Sequence, residues 1–329
     1  MDLIISVLRN SRGTDDNLIY EAFIENKNFD LINFDDQKWV DYYSENIISK
    51  IFRKLLRRLN QISLNKSIQD KIIKFKPRYF VVFKGSNIFP KTINIAKKNN
   101  VKTILIYPDL NPAFYGKNFL RAVKNYDQLY YTKPNLKEYF SNLNNNPKFI
   151  NPFIPNSNSN KIKDYDSNIG VLFVGHYSRN KSIQIIDFIK KYKYKISIVG
   201  RGWGALKKFK HVNILGELYG DVIVNLYSKS LVVLGLLQKF RKQEIFKDVI
   251  TSRTFLVPFY GGLLIHENNQ FVQKIYGRNE LFYFNDIEDL IETINEIKIK
   301  NLRQKLWLRQ KNNILKTGTR PIELFKMFK

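Results

Sequence analysis

The chain has 329 residues, 44% of them hydrophobic, enough to bury a full core; at roughly 100–200 residues per domain, two domains are expected. The absence of cysteine excludes disulfides, thiolate catalysis and zinc–thiolate sites and suits a reducing cytoplasm, while the only histidines, His176, His211 and His266, are too widely separated to suggest a metal cluster. A net charge of +26 creates a field that attracts phosphates, anionic lipid or nucleic acid, although the joint abundance of Lys, Asn and Ile also reads as a coding bias.

Short β-rich apolar runs alternate with segments of helical period along the whole chain, the pattern of parallel sheets covered by helices on both faces. An α/β class follows. In the first half, strands are expected near 3–8, 30–34, 78–85, 102–108 and 128–132, with helices near 16–26, 44–60, 90–100 and 134–142. The Asn-, Ser- and Pro-rich stretch 141–168 reads as the connection between two Rossmann-like domains, 1–158 and 159–329, the last helices returning to the first. Beyond it, strands are expected near 169–175, 195–200, 212–215, 230–236, 262–266 and 281–284, with closing helices at 287–299 and 301–313. The apolar run "LVVLGLL" at 231–237 is far short of the ~20 residues that cross a bilayer, and "LIISVL" lacks the flanks of a signal peptide, so neither a span nor a leader is expected.

Paired doubly wound domains bind ligands beyond the carboxyl ends of their strands, in a central cleft, so the motifs there matter most. Strand 169–175 ends in "VGHYSRNKS", where Gly175 permits close backbone approach and Arg179 and Lys181 sit at a helix start, a natural anion site or a plain turn with solvated charges. The next strand ends in "IVGRGWG", with Arg201 between Gly200 and Gly202; a bare G-x-G-x-G is a weak signal, and Trp203 also suits simple packing. The most specific stretch is "DVITSRTFLVPFYGGLLIHE" at 248–267. Its Ser252 and Thr254 hydroxyls, the Arg253 guanidinium and a helix start would converge on a pyrophosphate, whereas in the structural alternative Asp248 caps a helix and Arg253 is solvated.

These segments, with "GELYGDVIVNLYSKSLVVLGL" and "YGRNELFYFNDIEDLIETI", make residues 169–300 resemble the C-terminal domain of CgeB-like (spore-maturation type) glycosyltransferases, relatives of the group-1 sugar transferases of GT-B fold. The first half resembles them more loosely, through "IIKFKPRYFVVFKGSNIFPKTINIAKKNNVKTILIYPDLNP". The resemblance implies a metal-independent hexosyltransferase-like enzyme without a cofactor, with a UDP- or GDP-sugar donor and a glycan, lipid-linked or protein-linked acceptor in cell-surface polysaccharide synthesis. Asp248 would contact the donor sugar and residues 250–254 the phosphates. Two departures stand out. Leu256 occupies a position where relatives carry a ribose-binding glutamate, which weakens donor binding, shifts that role to an acid such as Glu267, or abolishes it. No histidine precedes residue 176, so Asp109 is the leading candidate for a catalytic acid or base, with Asp15 and Asp16 second.

Residues 47–62 read as a basic amphipathic helix in which Ile48, Ile51, Phe52, Leu55, Leu59 and Ile62 oppose Lys50, Arg53, Lys54, Arg57 and Arg58. It either faces the core with a solvated basic side or docks on the anionic inner membrane face. Two further functions compete: a nucleic-acid-binding protein or DNA-directed GT-B transferase, which the charge favours although no recognised nucleic-acid module is present, and a non-catalytic relative, which Leu256 favours.

Overall fold

The computed structural model describes residues 2–10, 14–40, 47–238 and 246–328, of which 47–55 and 327–328 by backbone alone. The chain divides into two units, residues 1–150 with 321–329, and residues 151–320.

The first unit is one six-stranded parallel sheet in the order β2-β1-β3-β4-β5-β6. Its strands are β1 (Asp2–Val7), β2 (Phe29–Phe34), β3 (Tyr79–Phe83), β4 (Lys102–Tyr107), β5 (Gln128–Tyr131) and β6 (Pro147–Phe149). "YFVVF" in β3 and "TILIY" in β4 are buried throughout, as strands covered on both faces must be. The helices are α1 (Asp15–Glu25), α2 (Asp36–Val40), α3 (Ile47–Phe75), α4 (Pro90–Lys98), α5 (Gly116–Asn125) and α6 (Lys137–Ser141). The C-terminal helix α13 (Pro321–Phe328) belongs to this unit because Phe325 stacks on Phe23 of α1 at 4.7 Å and meets the Phe29 ring edge-on.

The second unit is a six-stranded parallel sheet in the order β12-β11-β10-β7-β8-β9. Its strands are β7 (Val171–Val174), β8 (Ile196–Val199), β9 (Val212–Ile214), β10 (Val233–Gly235), β11 (Leu264–Glu267) and β12 (Tyr283–Phe284). Helices α7 (Arg179–Lys191), α8 (Asp221–Lys229), α9 (Ser252–Phe259), α10 (Gln270–Tyr276), α11 (Ile287–Ile299) and α12 (Arg303–Thr317) cover it.

Three expectations are corrected. The unit boundary lies at 150/151 rather than 158/159, because the Asn151 side chain and the Ile154 amide bond to Thr317 and Thr319 and Ile154 joins the second core. Residues 147–149, read as connection, instead form the edge strand of the first sheet. The helix expected to end near 60 runs on to Phe75, and its buried face is Leu64, Asn65, Ile68 and Ile72. Leu59 and Ile62, buried in the core-facing one of the two readings of this helix, point to solvent. The side chains of 48–55 lie outside the described residues.

Candidate active site

In each unit the strand order reverses once, and the carboxyl ends flanking that reversal form the crevice where doubly wound sheets hold ligands. In the second unit the reversal lies between β7 and β10, and Arg253 sits on it. Its Nη1 donates to the Val174 carbonyl at the end of β7, and its Nη2 to the Leu236 carbonyl just beyond β10, at 3.4 Å. The guanidinium also lies 5.7 Å from the centre of the Phe173 ring. Burial lowers the Arg253 pKa, while Tyr227 and Asp248 act to keep the charge. Arginine carries five N–H donors, so two carbonyls fix the plane without consuming the fork. Arg303 is a useful contrast: it donates to the carbonyls of Ser230, Lys163 and Ser228 before the strands begin, as a purely structural arginine would.

Arg253 is held in the first turn of α9 by a capping box, in which Thr251 and Thr254 exchange backbone and side-chain bonds. Thr254 is therefore a buried cap, not a phosphate contact as expected. Its hydroxyl also meets His266 Nε2 at 3.1 Å. His266 Nδ1 donates to the Glu267 carbonyl at 2.8 Å, which assigns the neutral tautomer, and burial pushes the His266 pKa down to about 4. Ser252, the first residue of α9, is half-buried beside Arg253. Asp248 is half-buried, its amide donating to the Gln238 carbonyl at 2.9 Å, and its charge acts on both Arg253 and His266. Leu256 is half-buried on α9. Glu267, at the end of β11, accepts the Leu237 amide and the Gln184 side chain, each at 3.1 Å, so its carboxylate is already engaged.

The glycine loops after β7 and β8 are built on each other. A Cβ on Gly200, at φ +133°, would come within 2.2 Å of the Gly175 carbonyl oxygen, and the Trp203 indole donates to the same oxygen at 2.8 Å. Gly200 is thus required for loop-on-loop packing, which corrects its reading as a ligand contact. A Cβ at Gly175 would press on the Phe173 ring at 3.1 Å and meet the Arg253 guanidinium at an ordinary contact distance of 3.5 Å, which places this loop beside the guanidinium. Arg201 is exposed and ion-paired to Glu217 at 3.0 Å, which makes it a peripheral cation. Arg179 is exposed at the first position of α7, and Lys181 half-buried one turn in, after the Ser178 cap. The structure therefore brings Gly175, Gly200 and Arg253 together, with Arg201 joined to this group through bonds of its backbone to His176 and Tyr177.

In the first unit the reversal lies between β1 and β3 and is lined by carboxylates. Asp16 accepts the Arg9 amide at 3.0 Å, and Arg9 Nε lies 3.9 Å from Asp16 and 3.7 Å from Asp36. Asp36 accepts from the Asn87 side chain at 2.8 Å, and Asn87 is held by Gln61 and Asn65 of α3. Both aspartates are 5% exposed, and burial raises the pKa of each. Asp15 stands beside Asp16 in the first turn of α1. One strand further along, Asp109 accepts the Tyr115 hydroxyl and pairs with Lys84 Nζ at 2.8 Å. Burial opposes the Lys84 charge, yet Asp109 and Tyr115 outweigh it and raise its pKa; burial pushes Tyr115 up to about 12. Lys84 is left-handed, φ 65°, a strain of about 1 kcal/mol that concentrates at functional sites. Asp36, Lys84, Asn87 and Tyr115 were not legible as site residues. Their one signal is position, since Lys84 follows an apolar run directly and Asp36 follows one after Asp35.

A family model described as glycosyl transferase-like matches residues 179–317. Among solved structures, the T4 phage DNA modifying enzyme β-glucosyltransferase superposes with a TM-score of 0.59 at 13% identity, covering 100% of this chain and 99% of its own. The UDP-GlcNAc 2-epimerase from Neisseria meningitidis gives 0.58 at 12%, covering 99% of each chain. TarM gives 0.56 at 12% over 76% of this chain, which spans only 54% of TarM. The fold is that of GT-B glycosyltransferases. An epimerase shares it, so the fold alone leaves the chemistry open. The family match, carried on this fold, indicates a glycosyltransferase. No curated protein matches the chain. The CgeB-like relationship rests on the sequence resemblance alone.

Proposed function

We propose that the chain transfers a sugar from a nucleoside-diphosphate donor to a hydroxyl of a glycan or lipid-linked acceptor. The observation that carries this is Arg253, a cation fixed across the strand-order reversal of the second unit and inside the segment matched by the transferase family. The acceptor oxygen attacks the anomeric carbon, the bond to the β-phosphate breaks, and the diphosphate leaves with its charge met by Arg253, Lys181, Arg179 and the amides opening α7 and α9. With this neutralisation supplied by side chains, no metal is needed in the scheme. The acceptor proton passes to Asp109, which Lys84 and Tyr115 hold in one orientation. Asp248 acts on the donor sugar, and Leu256 removes one ribose contact found in relatives. Uridine is the favoured base, because the epimerase is described as bound to UDP-GlcNAc and the T4 enzyme in complex with UDP-glucose. We place this activity on the cytoplasmic side, where sugar nucleotides are made.

Thermal denaturation with UDP, GDP, ADP and CMP tests the donor. At about a hundred times its Kd the correct nucleotide stabilises the fold by ~2.7 kcal/mol. If no nucleotide raises the transition temperature, the donor reading fails and the non-catalytic alternative gains. A second reading keeps the chemistry but makes DNA the acceptor. It draws on the net charge of +26 and on the full-length likeness to a DNA modifying enzyme. Glucosylation of duplex DNA, or DNA binding that falls steeply with salt, would favour it.

A further inference from the structure

The outer face of α3 carries an apolar stripe that the site described above does not use. Leu59 is 60% exposed, Ile62 46% and Ile73 52%. At 100° per residue they fall with Lys66 within about 60° of arc, roughly opposite the buried Leu64, Ile68 and Ile72, along about 21 Å of helix. An aliphatic row turned away from the core costs solvation and has no structural use there. Cations accompany it: Lys66 lies in the row, exposed Lys74 and Arg58 border its two sides, and Asp70 is the single acid among these exposed neighbours. Arg58 lies over the Phe89 ring at 4.6 Å, which fixes one border. Leu56, 44% exposed, widens the apolar side.

We propose that this face of α3 docks on an anionic lipid bilayer. Aliphatic side chains in one plane, interleaved and bordered by flexible cations, match the acyl–headgroup boundary: leucine and isoleucine enter while lysine reaches the phosphates. A nucleic-acid backbone would use the cations but leave the aliphatic row in water. The proposal does not depend on the donor reading, and sugar-nucleotide binding is assayed separately.

The experiment is co-sedimentation of the full chain with vesicles of phosphatidylcholine alone and of phosphatidylcholine mixed with phosphatidylglycerol. Binding is expected only to the mixed vesicles. Leu59→Ser with Ile62→Ser should weaken it at least ten-fold without lowering the melting temperature, since both positions are exposed. Lys66→Ala with Lys74→Ala should weaken it about 25-fold, five-fold per cation, the equivalent of roughly 1 kcal/mol each. The control pair Lys207→Ala and Lys208→Ala, in the second unit, should change it little. Equal losses from the control pair would overturn the proposal in favour of total charge. Undiminished binding by the serine pair would overturn it in favour of a purely phosphate-binding surface. Absence of binding to either vesicle would also overturn it.

Discussion

The strand-order reversals of the two units are built on the same parallel-sheet plan yet carry opposite chemistry. In the second unit the reversal is bridged by Arg253, with glycine loops packed beside it and Asp248 acting on its charge. In the first it is lined by Asp16 and Asp36, which share Arg9, with Asp109 one strand away. Both reversals offer strand-end amides and carbonyls, although the first falls after two strands and the second after three. The side chains at strand ends therefore decide whether a unit receives an anion or accepts a proton and hydrogen-bonds hydroxyls. On the proposed function, this is the division between donor phosphates and acceptor.

Breaking the acidic side should have the largest effect. Asp109→Asn keeps shape and removes the base, so kcat should fall about 10³-fold with little change in donor affinity. A fall of less than ten-fold, measured by steady-state transfer, would move the base elsewhere, with Asp16 next. On the basic side, Arg253→Lys keeps charge but loses the fork, and a loss of about 10² in kcat/KM is expected. Arg253→Ala should in addition lower stability by ~2–3 kcal/mol, because two strand-end carbonyls lose a charged donor.

The comparison sharpens with pH. His266 is buried neutral with a pKa of about 4, against 6.5 when unfolded. Above pH 6.5 both states are neutral and nothing is lost. Below it the unfolded state takes up the proton first, so stability falls progressively to about pH 4, by roughly 3 kcal/mol. Denaturant titrations of His266→Gln should show that slope flattened. Asp36 has the opposite sign: burial raises its folded pKa, so the folded state binds the proton more tightly and stability falls as pH rises from the ordinary aspartate value through the folded one. Asp36→Asn, which removes the titrating group, should flatten this slope in turn. The smallest effect belongs to Arg201→Ala, which opens an exposed pair with Glu217 and should cost under ~1 kcal/mol of stability, measured by thermal melt.

Much of the candidate site was legible because glycines and cations after apolar runs mark strand ends wherever the sheet is parallel. The roles were less legible. Gly200 and Thr254 read as ligand contacts and prove to be packing and capping residues, since only the folded loops show which neighbour each one meets. From sequence, helix α3 admits two readings for a related reason: Leu59 and Ile62 show helical period, but period alone does not say which side has a partner.

By itself, the sequence determined that apolar runs alternate with helical segments, and hence two parallel α/β units; burial on both faces keeps such strands mostly apolar, with the few polar residues, such as Ser6, Thr103 and Ser197, hydrogen-bonded or small. Only the tertiary structure decided which strands became neighbours, and so that Arg253, distant in sequence from Val174 and Leu236, lies across both their ends. Strand order is a matter of packing between remote segments, and no local pattern encodes it.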